Sequence, residues 1–127
     1  MKMKTWLIIG ACLAGFSVLF SAFGAHGLKT RLSSEDLGIF ETAVRYQMYH
    51  SLGILFISTL GITKSFPDNI LLTPTYLMIA GIIIFSGSLY ILVLTNTRWL
   101  GAITPIGGGF LIFSWFLLAF NIYRSMQ

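Results

Sequence analysis

The chain has 127 residues, of which 9% are charged and 56% hydrophobic, and its mean hydropathy is +0.85. A soluble domain carries about 25% charged residues, and a small one has a large surface to cover, so a soluble globular fold is excluded. The apolar content excludes disorder, and the single cysteine excludes a disulfide framework or a multi-cysteine metal site.

Formal charges leave four uncharged stretches, residues 5–28, 46–63, 69–97 and 99–123, of 24, 18, 29 and 25 residues. A helix needs about 20 apolar residues to cross a hydrocarbon core of roughly 30 Å, and it satisfies its own backbone in lipid. Barrel strands are shorter, about ten residues, and alternate polar with apolar. The pattern therefore predicts an all-α fold, an integral membrane four-helix antiparallel bundle in one domain, 1–127. The approximate spans are 5–26, 44–63, 73–96 and 101–123.

The first span follows Lys2 and Lys4 and opens on Trp6. Its apolar run of about 20 residues exceeds the 7–15 of a signal-peptide core, so it reads as a retained helix. Gly10/Ala14, Ala11/Gly15, Ser17/Ser21 and Ser21/Ala25 form small-xxx-small pairs, and Cys12 is expected at a helix contact. Ser33-Ser34-Glu35-Asp36 reads as a helix N-terminus, with a hydroxyl cap and acids in the first turn. The second helix then starts before its span, along the interface at 34–45, with Leu37, Phe40 and Val44 as its apolar stripe. Pro67, Asp68, Asn69 and Pro74 punctuate the next connection and predict that the third helix starts near Thr73 or Pro74. Trp99 precedes the fourth span, Tyr123 closes it, and Tyr46 and Tyr49 open the second, as interfacial aromatic residues do. Gly107-Gly108-Gly109 has no following Lys-Ser/Thr, so it reads as a close helix approach and not a phosphate loop.

Antiparallel packing gathers polar residues at the face bearing the first and third connections: His26, Glu41, Arg45, Tyr46, Gln47, Tyr49, His50, Asn96, Arg98 and Thr104. Glu41, Arg45 and Tyr49 follow one another at i, i+4, i+8, with Thr42, Tyr46 and His50 on the adjacent strip. Titratable groups near lipid need partners and mark functional sites. The candidate binding cluster is His26, Glu41, Arg45, Tyr46, Tyr49, His50, Ser86, Ser88 and Thr104, as a shallow pocket floored by Ser86 and Ser88. Arg45 would grip an anionic group there. The structural alternative makes Glu41–Arg45 a simple i, i+4 pair, lets Arg45 snorkel, and leaves the tyrosines in the aromatic belt. Two histidines without a third ligand assign no metal, and no residue set implies a cofactor.

Phe23-Gly24-Ala25-His26-Gly27-Leu28, Tyr46-Gln47-Met48-Tyr49-His50, Phe85-Ser86-Gly87-Ser88-Leu89-Tyr90 and Gly101-Ala102-Ile103-Thr104-Pro105-Ile106-Gly107-Gly108 occur in this order along the chain. In these blocks the sequence resembles the small four-span membrane family known as domain of unknown function 423, also termed uncharacterised protein family 0382, which has an animal mitochondrial relative. The resemblance implies a multi-pass cell (plasma) membrane protein of this length. It implies no activity, no catalytic residue and no ligand.

Lys and Arg divide four and four between the two faces, so the net +4 is no nucleic-acid signal. The α-amino group and the first helix favour cytoplasmic termini. Glu35, Asp36 and Glu41 share the histidine face, with Asp68 opposite. Three function classes follow. The first is an accessory or interaction protein, with lipid, other membrane proteins or a second copy as partners. The second is an oligomeric carrier, channel subunit or lipid- or anion-binding protein. The third, least supported, is an enzyme with His50 or His26 as general base.

Overall fold

The computed structural model describes residues 2–127. Four helices, α1 (Lys2–Phe23), α2 (Ser34–Ile62), α3 (Asp68–Thr95) and α4 (Thr104–Ser125), make up the antiparallel bundle. α2 and α3 pair centrally, α1 packs on α2 and α4 on α3, with no comparable interface between α1 and α4.

Each helix end has a local cause. α1 runs into a π-helical turn, Gly24–Leu28, whose Leu28 carbonyl accepts from Arg31 N and Leu32 N to start the first connection. Ser33 caps α2 as its sequence indicates: its hydroxyl accepts from Asp36 N at 3.1 Å, with Glu35 and Asp36 in the first turn. α2 is thus one continuous helix from Ser34 to Ile62. Lys64, in the left-handed region at φ 58°, ends the α2 turn, and Asn96, at φ 55° and ψ 37°, ends α3. A 3-10 turn, Arg98–Ala102, leads into α4.

α3 does not wait for Thr73. It begins at Asp68 after extended Pro67, and Pro74 lies inside the helix. Proline lacks the N–H that would bond the carbonyl four residues back. Here that carbonyl, of Ile70, accepts from Asn121 Nδ2 of α4 at 2.9 Å. The bond lost to the proline is replaced from the next helix, so the helix continues where the dipeptide pattern suggested a stop.

α1 with its π turn, α3, and α4 with its leading turn are each long and apolar enough to cross a membrane; α2 does not meet that measure. Its middle carries Gln47, His50 and Ser51, and these side chains are buried in the bundle. The apolar core is split accordingly. One cluster holds Ile54, Ile57, Leu71, Met78 and Leu111; the other, nearer the first and third connections, holds Leu28, Phe40, Val44, Leu92 and Val93. Gln47, His50 and Ser51 lie along α2 between Val44 of the one and Ile54 of the other.

α3 and α4 touch through backbone. A Cβ on Gly107 would stand 2.8 Å from Phe85 Cα and 2.9 Å from the Ile84 carbonyl carbon. The second expectation for the small residues fails: Cys12 is exposed, not at a helix contact. A methyl at Gly107 must push the helices apart, and overpacking costs about 1–3 kcal/mol. Gly109, with open space around its Cβ position, has no such cost and gains helix propensity of up to about 1 kcal/mol. Gly107→Ala should therefore lower stability in reversible detergent unfolding while Gly109→Ala leaves it level or raises it; equal behaviour of the two would refute the close-approach account.

Candidate functional site

The nine candidate residues do not share one pocket. Ser86 and Ser88 are two residues apart on a helix, hence about 200° apart around it. Ser86 Oγ accordingly turns to α2 and donates to the Ala43 carbonyl at 2.7 Å, while Ser88 Oγ turns to α4 and bonds Thr104 Oγ1. They cannot floor one site. His26 is exposed on the π turn, and its ring has no hydrogen-bond partner among the described residues. The first connection leaves it on the outer surface, away from the buried His50.

His50 is fixed on both sides. Its Nδ1–H donates to the Tyr46 carbonyl at 2.8 Å, and its Nε2 accepts from the Trp115 indole N–H at 2.9 Å. A carbonyl only accepts and an indole only donates, so these partners select the neutral Nδ1–H tautomer. Tyr46 rests against Phe85 at 4.7 Å between ring centroids, with Tyr49 beside it at 5.7 Å. The ring group spans α2, α3 and α4.

Gln47 forms the second buried node. Its Nε2 donates to the Leu13 carbonyl of α1 at 2.9 Å, and its Oε1 accepts from Tyr90 OH of α3 at 2.7 Å. One side chain thus joins three helices. Gln47 lay among the polar residues of this face but outside the candidate cluster, and Tyr90 and Trp115 went unmarked as partners. Gln47 stands one turn after Ala43 and two turns before Ile54, on the same apolar strip of α2, and that is the sequence signal that would have found it: an amide on the buried face must have partners.

Glu41 and Arg45 are exposed and form no ion pair with each other; among the described residues the ion pair is Asp36–Arg98. Arg98 Nη1 and Nη2 grip the two carboxylate oxygens of Asp36 at 2.9 and 2.7 Å, and Arg98 Nε donates to Asn96 Oδ1 at 2.6 Å. This fork ties the start of α2 to the third connection. The hydrogen bond from Arg98 holds the Asp36 carboxyl below its ordinary range. A lowered folded-state pKa adds stability above the unfolded value and loses it as pH falls through the folded one; at this exposed pair the effect is small.

Glu41 and Arg45 line a groove between α1 and α2. One cavity of about 290 Å³ includes Ser21, Gly24, Phe40, Glu41 and Arg45. A second, of about 470 Å³, shares Ser21, Ala25, Val44 and Arg45 with it and extends deeper along Ser17, Val18, Ala22, Met48 and Tyr49. Small side chains on α1 create the opening.

The model of the family described as "Protein of unknown function (DUF423)" matches residues 20–108. The chain is 45% identical to a UPF0382 membrane protein of Staphylococcus haemolyticus over 96% of its length and 98% of that protein. It is 47% identical to one of Staphylococcus aureus strain USA300, with 96% and 98% covered, and 44% identical to one of Bacillus subtilis, with 91% and 94% covered. No solved structure matches. The relatives carry no assigned activity in their names.

Removing the Gln47 amide strands the Tyr90 hydroxyl. An unpaired buried polar group costs about 1–3 kcal/mol. Gln47→Met should therefore destabilise the bundle by about 2 kcal/mol, and Gln47→Met with Tyr90→Phe should cost less than the two changes summed, by about 0.6–1.7 kcal/mol. Double-mutant cycles in detergent unfolding read the coupling; strict additivity would show that the bond is not formed.

Proposed function

Given that this chain belongs to the DUF423 family of membrane proteins, we propose that it is a small accessory protein that acts through its helix faces and makes or breaks no bonds. The observation that carries this reading is the use of its buried polar groups. A general base needs a free nitrogen, yet both ring nitrogens of His50 are held, one by Tyr46 and one by Trp115. Gln47, Ser86, Ser88 and Thr104 are likewise bonded between helices. These groups join helices and leave their outer faces free for contact. Exposed apolar side chains such as Ile8, Phe16, Ile83, Ile112 and Phe116 are available to lipid, to other membrane proteins or to a second copy.

The same reading places the chain in the plasma membrane with four crossings and both termini cytoplasmic. α2 has 29 residues, about 44 Å at 1.5 Å per residue, more than the hydrocarbon core requires. Its polar side chains face the bundle and so do not oppose insertion. Basic residues tie between the faces, so the orientation rests on the α-amino group and the weight of the first helix, which favour the terminal face as the cytoplasmic one.

Two measurements check this. Photoreactive residues placed at Phe16, Ile83 and Phe116 in native membranes should give discrete protein adducts from one helix face, at twice the chain mass where the partner is a second copy. Adducts with lipid alone at all three positions would defeat the accessory reading. A C-terminal reporter that is active only in the cytoplasm should be active, and an inactive fusion beside an active one in the first connection would reverse the orientation.

A further inference from the structure

We propose that the α1–α2 groove is a binding site for a zwitterionic aminophospholipid of the surrounding bilayer, with its phosphate at Arg45 and its ammonium at Glu41. The proposal goes beyond the accessory reading and stands or fails separately from it.

The chemistry along the groove follows the order of groups in such a lipid. Its deep end is apolar, lined by Val18 and Ala22 of α1 and Met48 of α2. An acyl chain suits that length, since lipid tails fill what protein side chains do not in a bilayer. Ser21 and Arg45 both line the two cavities, at the middle of the groove, and Glu41 lines only the cavity nearer the connection. Arg45 follows Glu41 by four residues, about 6 Å along α2, with Glu41 nearer the start of the helix and hence farther from the membrane centre. In the lipid the phosphate likewise precedes the amine going outward.

Charge decides among headgroups. Arg45 and Glu41 are exposed and carry no ion pair among the described residues, so both charges are available. A guanidinium takes a phosphate through two parallel bonds, and a carboxylate accepts from an ammonium. The assembled site, with one cation and one anion on each partner, is neutral. An anionic lipid would leave a surplus negative charge next to Glu41, and the two like charges repel. A choline headgroup offers Glu41 no N–H to accept. The aminophospholipid alone among these three satisfies both residues.

The test is native mass spectrometry of the full-length protein extracted from nanodiscs of equal parts phosphatidylethanolamine, phosphatidylglycerol and phosphatidylcholine. Wild type should retain phosphatidylethanolamine above its share of the mixture. Arg45→Gln should lower retention of phospholipid about tenfold, the scale of one charge-assisted hydrogen bond pair. Glu41→Gln should keep phospholipid but lose the preference for ethanolamine over choline. Ala22→Leu, which fills the groove from its exposed side and leaves both charges in place, should also lose the lipid at an unchanged melting temperature; it keeps the test decisive if Arg45→Gln unfolds. Retention in bulk proportions, retention unaffected by Arg45→Gln and Ala22→Leu, or enrichment of phosphatidylglycerol instead would each overturn the proposal.

Discussion

Lipid provides no hydrogen-bond partners, and this constraint governs where every polar side chain of the bundle sits. Between helices in a bilayer the hydrophobic effect gives no net pull, because the tails outside are as apolar as leucine. Association must come from close packing and from polar groups that find partners only inside. Gln47 meets that requirement most fully, since one amide engages a backbone carbonyl of α1 and a hydroxyl of α3. Ser86 to Ala43 and Trp115 to His50 add bonds from α3 and α4 to the same helix. α2 is therefore the least apolar helix and the one hydrogen-bonded through side chains to each of the other three, and the one property explains the other.

The four helices were legible in the sequence because formal charge is costly in hydrocarbon, which leaves long uncharged stretches between its members. The Ser33 cap was legible too, because it depends on four consecutive residues. What could not be read were the pairings across helices. Pro74 looks like a stop when only its own chain segment is considered, and it is a continuation because Asn121, 47 residues later, supplies the missing donor. The candidate cluster shows the same limit. Membrane depth groups His26, Arg45, His50, Ser86 and Ser88 at one face, but depth is one coordinate and azimuth is another. Rotation by about 100° per residue sends Arg45 outward to the groove and Gln47 inward to the core, although both lie at nearly one level.

Recognition of the family through its four sequence blocks has a structural counterpart. The FGAHG segment is the π turn, in which Gly24 accommodates the Phe40 ring, with a Cβ there only 2.9 Å from it. The YQMYH segment supplies both buried nodes, Gln47 and His50. The FSGSLY segment provides Ser86, Ser88 and Tyr90, and GAITPIGG provides Thr104 and the close approach at Gly107. Each block is a place where one helix meets another through something other than aliphatic packing. This accounts for the blocks without any appeal to catalysis.

Small residues have opposite consequences in the two halves of the bundle. On α4, Gly107 lets the α3 backbone come close, and the space it vacates is closed by protein. On α1, Gly10 is similarly closed, with Ile54 Cγ2 at 3.1 Å from its Cβ position. Further along, Ser17, Ser21 and Ala22 of α1 and Ala25 of the π turn line an opening that α2 does not fill. In water such an apolar furrow would be a defect, because dry voids forfeit contacts and wet ones expose apolar surface. In a bilayer it is occupied by lipid as a matter of course. Specificity for one lipid then requires only fixed charges at the headgroup end, and an unpaired Arg45 beside Glu41 supplies them at the level where a furrow of small residues ends.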